Sequence, residues 1–301
     1  MFSFKKGRRI AFIKGGKLDG KFIRVDNVQS SKCCQDCGKC SSKKACCKIS
    51  KKGGCSECGV LKNMISMGGD DSLAGFLLQQ ELKNVIKDER KMINIDDGTL
   101  IPMPNPKQRE CLYIGGPSGS GKSTYASNYI KIWRYMFPKR NFFLFSNVEK
   151  DPCLDKLKPT RIKLDASFVD EPLNTKLLAN SICLFDDVDF IKDKAIRKSV
   201  TDLRDSLLGE GRHENIYVIT TNHVLTDGNK TKFSLVEATA ITMFPATDTY
   251  HVEQVLKRYC GFGAKVVKHI QSLNSRWVTV SKRCPTYVMH EHGVFFPSEI
   301  K

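Results

Sequence analysis

The chain has 301 residues, of which 41% are hydrophobic and 27% are charged, and its formal net charge is +17. This length and apolar content suffice for one large domain with a packed core and a second, smaller segment. No run approaches the roughly 18 apolar residues of a transmembrane helix, and the N-terminal "MFSFKKGRRIAFI" lacks the apolar stretch and cleavage site of a signal peptide, so we expect the protein to stay inside a cell.

The first 62 residues form a basic segment. They carry 16 Lys and Arg against 4 Asp and Glu, a net charge of +12, and the remaining residues are only mildly basic. Residues 8–25 predict two short strands around a glycine-rich turn. A basic appendage on a nearly balanced chain favours a polyanionic partner, nucleic acid first, although a solvated tail would have the same composition.

A cysteine cluster follows in the same segment. Cys34-x2-Cys37 and Cys55-x2-Cys58, separated by 17 residues, match the spacing of a zinc ribbon, in which four thiolates bind one Zn²⁺. An iron–sulfur cluster and unstructured thiols are the alternatives. Four more cysteines leave it open whether the segment holds one or two zinc ions: Cys33, Cys40, Cys46 and Cys47.

Residues 63–108 connect this small module to the rest of the chain. Apolar residues recur at helical spacing from Asp70 to Ile93, with Met92 among them, and predict a helix. The stretch "DDGTLIPMPNPKQ" then contains three prolines and predicts a linker.

The third segment, residues 109–301, alternates between short β-type runs and helical stretches. Such alternation predicts an α/β domain with a mainly parallel sheet and helices on both faces. The predicted strands are "CLYIG", "NFFLFS", "TRIKLD", "ICLFDD", "IYVITT" and "AITMF".

A glycine-rich loop stands between the first of these strands and a helix. Gly116, Gly121, Lys122 and Ser123 fit the phosphate-binding pattern G-x4-G-K-[ST]. Backbone N–H groups and the helix N-terminus favour a phosphate there, Lys122 should reach the β- and γ-phosphates of ATP, and the Ser123 hydroxyl should bind Mg²⁺. The predicted nucleotide-binding residues of the loop are Gly116, Pro117, Ser118, Gly119, Ser120, Gly121, Lys122, Ser123 and Thr124. The predicted apolar stripe of the helix consists of Tyr125, Tyr129, Ile132, Trp133 and Met136.

Two acids end the predicted strand in "SICLFDDVDF". Ligand sites of parallel sheets form at the carboxyl ends of strands. Asp186 is therefore the expected Mg²⁺ partner, and Asp187 is the acid expected to activate water. A helix N-cap is the alternative role for either acid.

Further candidates surround the next predicted strand, Ile216 to Thr220. Asn222 follows it and could sense the γ-phosphate or orient water, or else satisfy a backbone group in a turn. Arg212 precedes the strand and is a candidate arginine finger, unless it is an ordinary exposed or paired arginine. Arg204 and Arg258 are weaker candidates for the same role.

These motifs together resemble a known family. The phosphate loop, "LFDDVD" and "LLGEGRH" leading into "VITTNH" are similar to the genome-packaging ATPases of nucleocytoplasmic large DNA viruses, in the FtsK–HerA superfamily of P-loop NTPases. "FPATDTYHVEQVLKRYCGFG" and "SLNSRWVTVSKRCPTYVMHEHGVFF" are similar to the C-terminal part of those ATPases. The resemblance spans about residues 109–296 and does not cover residues 1–108.

The resemblance implies a RecA-like core of the ASCE type, with an extra strand between the Walker A and Walker B strands, for which "TRIKLD" is a candidate. It implies a homo-oligomeric ring, a pentamer or hexamer, that hydrolyses ATP with Mg²⁺ and pulls double-stranded DNA into a capsid. Capsid or inner-membrane virion proteins would be partners, and the viral factory in the host cytoplasm, with the virion, would be the location.

By position, the family pattern makes Lys122 and Ser123 ligands of nucleotide and Mg²⁺, Asp186 the Walker B metal residue, Asp187 the catalytic acid, Asn222 the sensor and Arg212 a finger acting across subunits. Many relatives outside the viral group have Glu at the catalytic-acid position. The shorter side chain of Asp187 leaves Asp189 as a possible substitute.

Three other functions share parts of this pattern. A cellular or plasmid-type DNA translocase would use the same chemistry. A P-loop kinase of a small metabolite would share the loop but would need neither the second acid nor the polar residue after the next strand. A non-catalytic DNA-binding protein would not need Lys122, Ser123 and Asp186 together.

Overall fold

The computed structural model describes residues 1–26, 90–171 and 173–300. The predicted zinc ligands Cys34, Cys37, Cys55 and Cys58 lie outside these ranges, as does most of the helix predicted before Ile93. Within them, no group of three or more His, Cys, Asp or Glu side chains could hold a metal ion. The same ranges contain no helix that is both long and apolar enough to cross a bilayer.

Two compact units divide the chain, one of Met1–Arg8 and Ile23–Lys91, the other of Arg9–Phe22 and Met92–Lys301. In the first unit, β1 (Phe2–Ser3) pairs antiparallel with β3 (Phe22–Val25). The strands β2 (Arg8–Lys14) and β3 confirm the two strands predicted within residues 8–25.

Short strands also occur where the sequence predicted a helix end and a linker. Met92 and Ile93 lie in β4 (Met92–Asn94), and the proline-rich stretch contains β5 (Thr99–Pro102), which pairs antiparallel with β2. In β2, Ile10, Ala11 and Ile13 are buried while its charged residues stay accessible.

The second unit is built on a large mixed sheet. Its remaining strands are β6 (Cys111–Gly115), β7 (Phe142–Ser146), β8 (Thr160–Ile162), β9 (Ile182–Asp186), β10 (Tyr217–Asn222), β11 (Ala240–Met243), β12 (Val278–Ser281), β13 (Tyr287–His290) and β14 (Gly293–Phe295). Among the described residues, ten strands follow the order β4-β14-β13-β12-β11-β6-β10-β9-β7-β8. The pairs from β11 to β8 are parallel and those from β11 to β4 are antiparallel. The predicted α/β fold with a mainly parallel sheet is therefore confirmed, with an antiparallel extension.

The strand between the loop strand β6 and the acidic strand β9 is β10. The expectation that "TRIKLD" supplies this strand is wrong, because β8 lies at the edge of the sheet beside β7. Burial explains the two positions. Every residue of β10 is buried, as a central strand requires, whereas β8 buries no residue fully.

Helices cover both faces of the sheet. The helices are α1 (Lys122–Met136), α2 (Pro152–Asp155), α3 (Ala166–Asp170), α4 (Lys194–Glu210), α5 (Asn229–Glu237), α6 (Thr249–Arg258) and α7 (Ala264–Ser272), with short 3-10 helices at Thr175–Leu178, Val188–Phe190 and Pro297–Glu299. Leu112 and Ile114 pack on the α1 side, and Cys111 packs with the α4 residues on the other.

The buried stripe of α1 differs in part from the predicted one. Tyr125, Tyr129 and Trp133 are buried as expected, but Ile132 and Met136 are only half-buried. Ala126 and Ile130 are buried instead, so the buried face is centred on positions i, i+1, i+4 and i+5.

Candidate active site

The predicted strand–loop–helix arrangement of the glycine-rich stretch is observed between β6 and α1. Gly119 and Gly121 have φ angles of +77° and +110°, in the left-handed region that favours glycine. A Cβ atom on Gly116 would lie 2.7 Å from Phe244 Cδ2. The loop therefore needs glycine both for its turns and for its close approach to Phe244.

Lys122 is the first residue of α1 and is buried. Its Nζ donates to the backbone oxygens of Gly116, at 2.9 Å, and Pro117, at 3.3 Å, so the side chain folds back over its own loop. Burial lowers the pKa of Lys122, and the charges of Asp187 and Asp186 oppose this shift. The next residue, Ser123, is half-buried beside it.

Asp186 is the last residue of β9 and is buried. Thr221 Oγ1 donates to its Oδ1 at 2.7 Å, and Ser146 Oγ donates to its Oδ2 at 3.2 Å. Thr221 lies in β10 and Ser146 ends β7, so a hydroxyl from the strand on each side of β9 orients the carboxylate.

Asp187 follows the strand in a left-handed conformation, with a φ of +48° that Asp tolerates better than most residues. Its backbone N–H lies 3.1 Å from Thr221 Oγ1. Its Oδ2 is 2.8 Å from His223 Nε2, while its Oδ1 is buried and has no hydrogen-bond partner among the described residues. Burial raises the pKa of Asp187, against the opposing charge of Lys122.

Asp189 is held by two neighbours. Asn222 Nδ2 donates to its Oδ2 at 2.8 Å, and Arg204 Nη1 lies 3.7 Å from its Oδ1. Burial raises the pKa of Asp189, and the Arg204 charge opposes this. The Oδ1 of Asn222 is buried and has no partner within the described ranges.

Arg204 cannot be a finger that reaches a neighbouring subunit. Its side chain is only 1% exposed, and its guanidinium pairs with Asp189 and with Asp205 at 2.9 Å. That expectation is therefore corrected, and Arg204 is a buried cation that fixes Asp189. A sequence signal existed, because Arg204 stands on the helical stripe of Val200, Leu203 and Leu207, which α4 buries.

Arg212 and Arg258 are both exposed. Arg212 lies in the turn between α4 and β10. This turn is at the edge of the sheet where β9 and β10 begin, since their first residues, Ile182 and Tyr217, are paired. The glycine loop lies at the other end of these strands, where Asn222 is paired with Gly115. At about 3.3 Å per strand residue, the two edges are roughly 15 Å apart, so the structure does not bring Arg212 to the loop of its own chain.

A cavity of about 200 Å³ adjoins the glycine loop. Ser120, Gly121 and Thr124 line it from the loop and α1, and Arg276 and Trp277 line it from the segment before β12. The ring of Trp277 packs edge-on against Tyr125 at 5.2 Å, which holds the Trp277 ring in place. No role for Arg276 or Trp277 was predicted from the sequence.

The structure thus brings Lys122, Asp186, Asp187 and Asn222 to one edge of the sheet and leaves Arg212 at the other. Sequence reasoning missed the roles of three neighbouring side chains, Ser146, Thr221 and His223. Ser146 is the last residue of β7 and Thr221 is the last but one of β10, so the rule that strand ends meet at one edge places both beside Asp186.

Comparison with solved structures finds viral genome packaging NTPases, the class that the sequence motifs resemble. Genome packaging NTPase B204 of Sulfolobus turreted icosahedral virus 2, in complex with AMPPCP, is 17% identical, with a TM-score of 0.44 and coverage of 62% of this chain and 97% of that chain. The pCW3 conjugation coupling protein TcpA, with ATPγS, is 13% identical, with a TM-score of 0.42 and coverage of 72% and 71%.

No family model matches the chain. Among curated proteins, the uncharacterized protein V3 of Sputnik virophage is 38% identical over 201 residues, which cover 66% of this chain and 82% of that protein. An identity of this size over most of the relative's length shows common descent, and the chain belongs to the family of Sputnik virophage protein V3.

Proposed function

We propose that the chain is an ATP-hydrolysing motor that translocates double-stranded viral DNA into a capsid. One observation carries the proposal. At the carboxyl edge of the parallel strands, the glycine loop and its buried lysine meet two successive acids and Asn222, the polar last residue of β10. These are the groups that phosphoryl transfer needs to position a triphosphate and a water molecule.

Residues Gly116 to Thr124 would hold the phosphates of ATP. The left-handed glycines leave backbone N–H groups available, and the N-terminus of α1 adds a positive dipole. Lys122 Nζ would exchange its two carbonyl contacts for the β- and γ-phosphate oxygens. Burial of this ammonium group makes its attraction for a phosphate stronger than it would be in water.

The donor set fits Mg²⁺, which prefers hard oxygen ligands. The Ser123 hydroxyl and the Asp186 carboxylate would hold the ion, and the hydroxyls of Thr221 and Ser146 already orient that carboxylate. When bound, Mg²⁺ would neutralise charge on the phosphate oxygens.

Asp187 is the acid that we propose to activate water. Its Oδ1 is free of protein partners within the described residues and its pKa is raised by burial, as suits a general base. Both carboxylate oxygens of the alternative, Asp189, already have partners, so Asp189 is better suited to hold Asn222 in place.

The nucleotide base would enter the cavity beside the loop. The Trp277 ring offers an apolar face there, and Asn128 and Arg276 offer polar groups at its rim. Because the cavity begins at Ser120 and Gly121, a base in it would lie next to phosphates held by the loop.

Arg212 would act on the nucleotide of a neighbouring subunit. It is exposed and lies roughly 15 Å from its own loop, so only a head-to-tail ring of identical chains, a pentamer or hexamer, could bring it to an ATP molecule. A finger supplied in this way would link hydrolysis in one subunit to contact with the next.

DNA is the proposed polyanion because the net charge is +17 and residues 1–62 carry +12 of it. The proposed organisation is a basic, zinc-binding module at 1–62 with Cys34, Cys37, Cys55 and Cys58 as ligands, a connection at 63–108 and the ATPase domain at 109–301. Capsid or inner-membrane virion proteins are the proposed partners, in the viral factory or virion.

Steady-state ATP hydrolysis with and without duplex DNA tests this function. A motor should hydrolyse ATP without any metabolite acceptor and faster when duplex is present. A small-molecule kinase would need its acceptor, and a non-catalytic DNA-binding protein would bind duplex without turnover. Either of these results would overturn the proposal.

A further inference from the structure

The two carboxylate oxygens of Asp187 have different surroundings. His223 Nε2 lies 2.8 Å from Oδ2. Oδ1 is buried and has no hydrogen-bond partner in the part of the chain that the structure describes. One oxygen is thus anchored and the other is free.

The anchor is itself fixed in place. His223 directly follows Asn222, the last residue of β10, and its ring packs edge-on against Phe190, with ring centres 4.8 Å apart and planes at 81°. Phe190 belongs to the 3-10 helix that begins just after Asp187. The His223 ring is therefore held between the Asp187 carboxylate and the Phe190 ring.

We propose that His223 is a positioning residue that holds Oδ2 of Asp187 so that Oδ1 faces the attacking water. This inference rests on the proposed ATPase function. The backbone N–H of Asp187 donates to the oxygens of Thr221, which fixes the main chain but leaves the side chain free to rotate. The His223 contact removes that remaining freedom.

Masking of the acid is the alternative effect of the same contact. The unpartnered Oδ1 argues against masking, because His223 contacts Oδ2 and leaves Oδ1 without a hydrogen-bond partner among the described residues.

The test compares His223→Ala with His223→Gln. In His223→Ala, kcat for ATP hydrolysis should fall about 10- to 100-fold while KM changes little, because a small misplacement of a reacting group costs rate rather than binding. Binding of a non-hydrolysable ATP analogue should stay unchanged. His223→Gln keeps an N–H donor at similar reach and should recover most of the lost kcat.

A matched control exists in the same chain. His251 Nδ1 contacts Asp248 Oδ1 at 2.7 Å, with side-chain exposures of 35% and 15%, against 30% and 20% for His223 and Asp187. His251→Ala removes the same kind of pair on α6 and should leave kcat unchanged. Thermal unfolding of all three variants should separate a loss of stability from a loss of positioning.

A double-mutant cycle with Asp187→Asn completes the test. If His223 acts only through Asp187, His223→Ala should cause no further loss in the Asp187→Asn background. Unchanged or faster hydrolysis by His223→Ala alone would overturn the inference, and faster hydrolysis would favour masking. If the unsubstituted chain itself failed to hydrolyse ATP, the proposed function would fall and this inference with it.

Discussion

Lys122 is the residue on which the proposed chemistry depends most directly, because it is a buried cation that folds back over the glycine loop. Lys122→Ala should lower ATP turnover by more than about 10²-fold, since it deletes the charge that would balance the transferring phosphate. Steady-state phosphate release measures this. Lys131→Ala, an exposed lysine on the same helix, is the control and should keep full activity. Wild-type turnover by Lys122→Ala would show that the loop is not the catalytic site.

Sequence reasoning located some of these residues because their positions follow from local rules. Lys122 and Asp186 end up at one edge because each follows the carboxyl end of an apolar run. His223 could not be found in this way. Its partner lies 36 residues earlier in the chain, and no periodicity links a turn histidine to an acid on another strand.

Among the elements, the central strands were predictable and their order was not. The strands β6, β9 and β10 are buried along their whole length, and each begins with an apolar run of three or more residues that marks it in the sequence. The position of β8 in the sheet depends on the side to which the connection after β7 returns. The three residues of β8 have little burial, so their sequence does not indicate that side. The antiparallel strands β12 to β14 were likewise not predicted, because they follow α7 in a segment of mixed polarity.

The turn between α4 and β10 carries the proposed arginine finger. Arg109 donates to the backbone oxygens of Leu207 and Leu208 and so caps the C-terminal end of α4. The turn with Arg212 therefore follows a helix end that is held in place. Arg212→Ala should bind ATP almost normally but hydrolyse it up to ~10³-fold more slowly.

Mixing experiments separate a finger that acts across subunits from one that acts within its own chain. Arg212→Ala mixed with Asp187→Asn should recover part of the activity, since mixed interfaces would pair an intact finger with an intact acid. Lys268→Ala, which removes an exposed cation on α7, is the control. No recovery in particles whose subunits demonstrably mix would contradict the trans arrangement.

The hairpin of β13 and β14 contains a buried histidine. His290 is 8% exposed, and burial, with His292 and His269 adding to it, lowers its pKa from 6.5 to about 4. The unfolded chain therefore binds a proton at a higher pH than the folded chain does, and stability should fall as pH drops from about 6.5 towards 4.

Denaturant unfolding at several pH values checks this for the wild type and His290→Gln. The wild type should lose on the order of 2 kcal/mol more than the variant between pH 7 and pH 4.5. His292→Gln, in the exposed turn of the same hairpin, is the control and should keep most of the wild-type dependence, because burial of His290 is the main cause of its lowered pKa. Equal pH dependence in the wild type and His290→Gln would mean that His290 titrates alike in the folded and unfolded chains.

For the whole molecule, the charge distribution predicts where DNA is bound. Lys14, Lys17 and Lys21 are exposed around the turn between β2 and β3. Replacing all three by Gln should weaken duplex binding and flatten the slope of log affinity against log salt by about 0.9 for each phosphate that the variant no longer neutralises. The weakening should be similar for unrelated duplexes, because phosphate contacts carry no sequence information.

A salt titration of duplex binding measures that slope, with assembly checked for each protein. The control replaces three other exposed lysines, Lys131, Lys139 and Lys156, and so makes the same change in net charge. If both triple variants flatten the slope equally, duplex binding depends on the overall charge of the protein. If the Lys14, Lys17 and Lys21 variant keeps the wild-type slope, the N-terminal segment binds a protein partner instead of DNA.

The central claim is that ATP hydrolysis moves the protein along duplex DNA. Displacement of a third DNA strand from the end of a long duplex, followed during hydrolysis, tests this claim most directly. The intact chain should displace the strand with ATP but not with a non-hydrolysable analogue, and Lys122→Ala should displace none. ATP hydrolysis at full rate on the same duplex without any displacement would contradict a translocating motor.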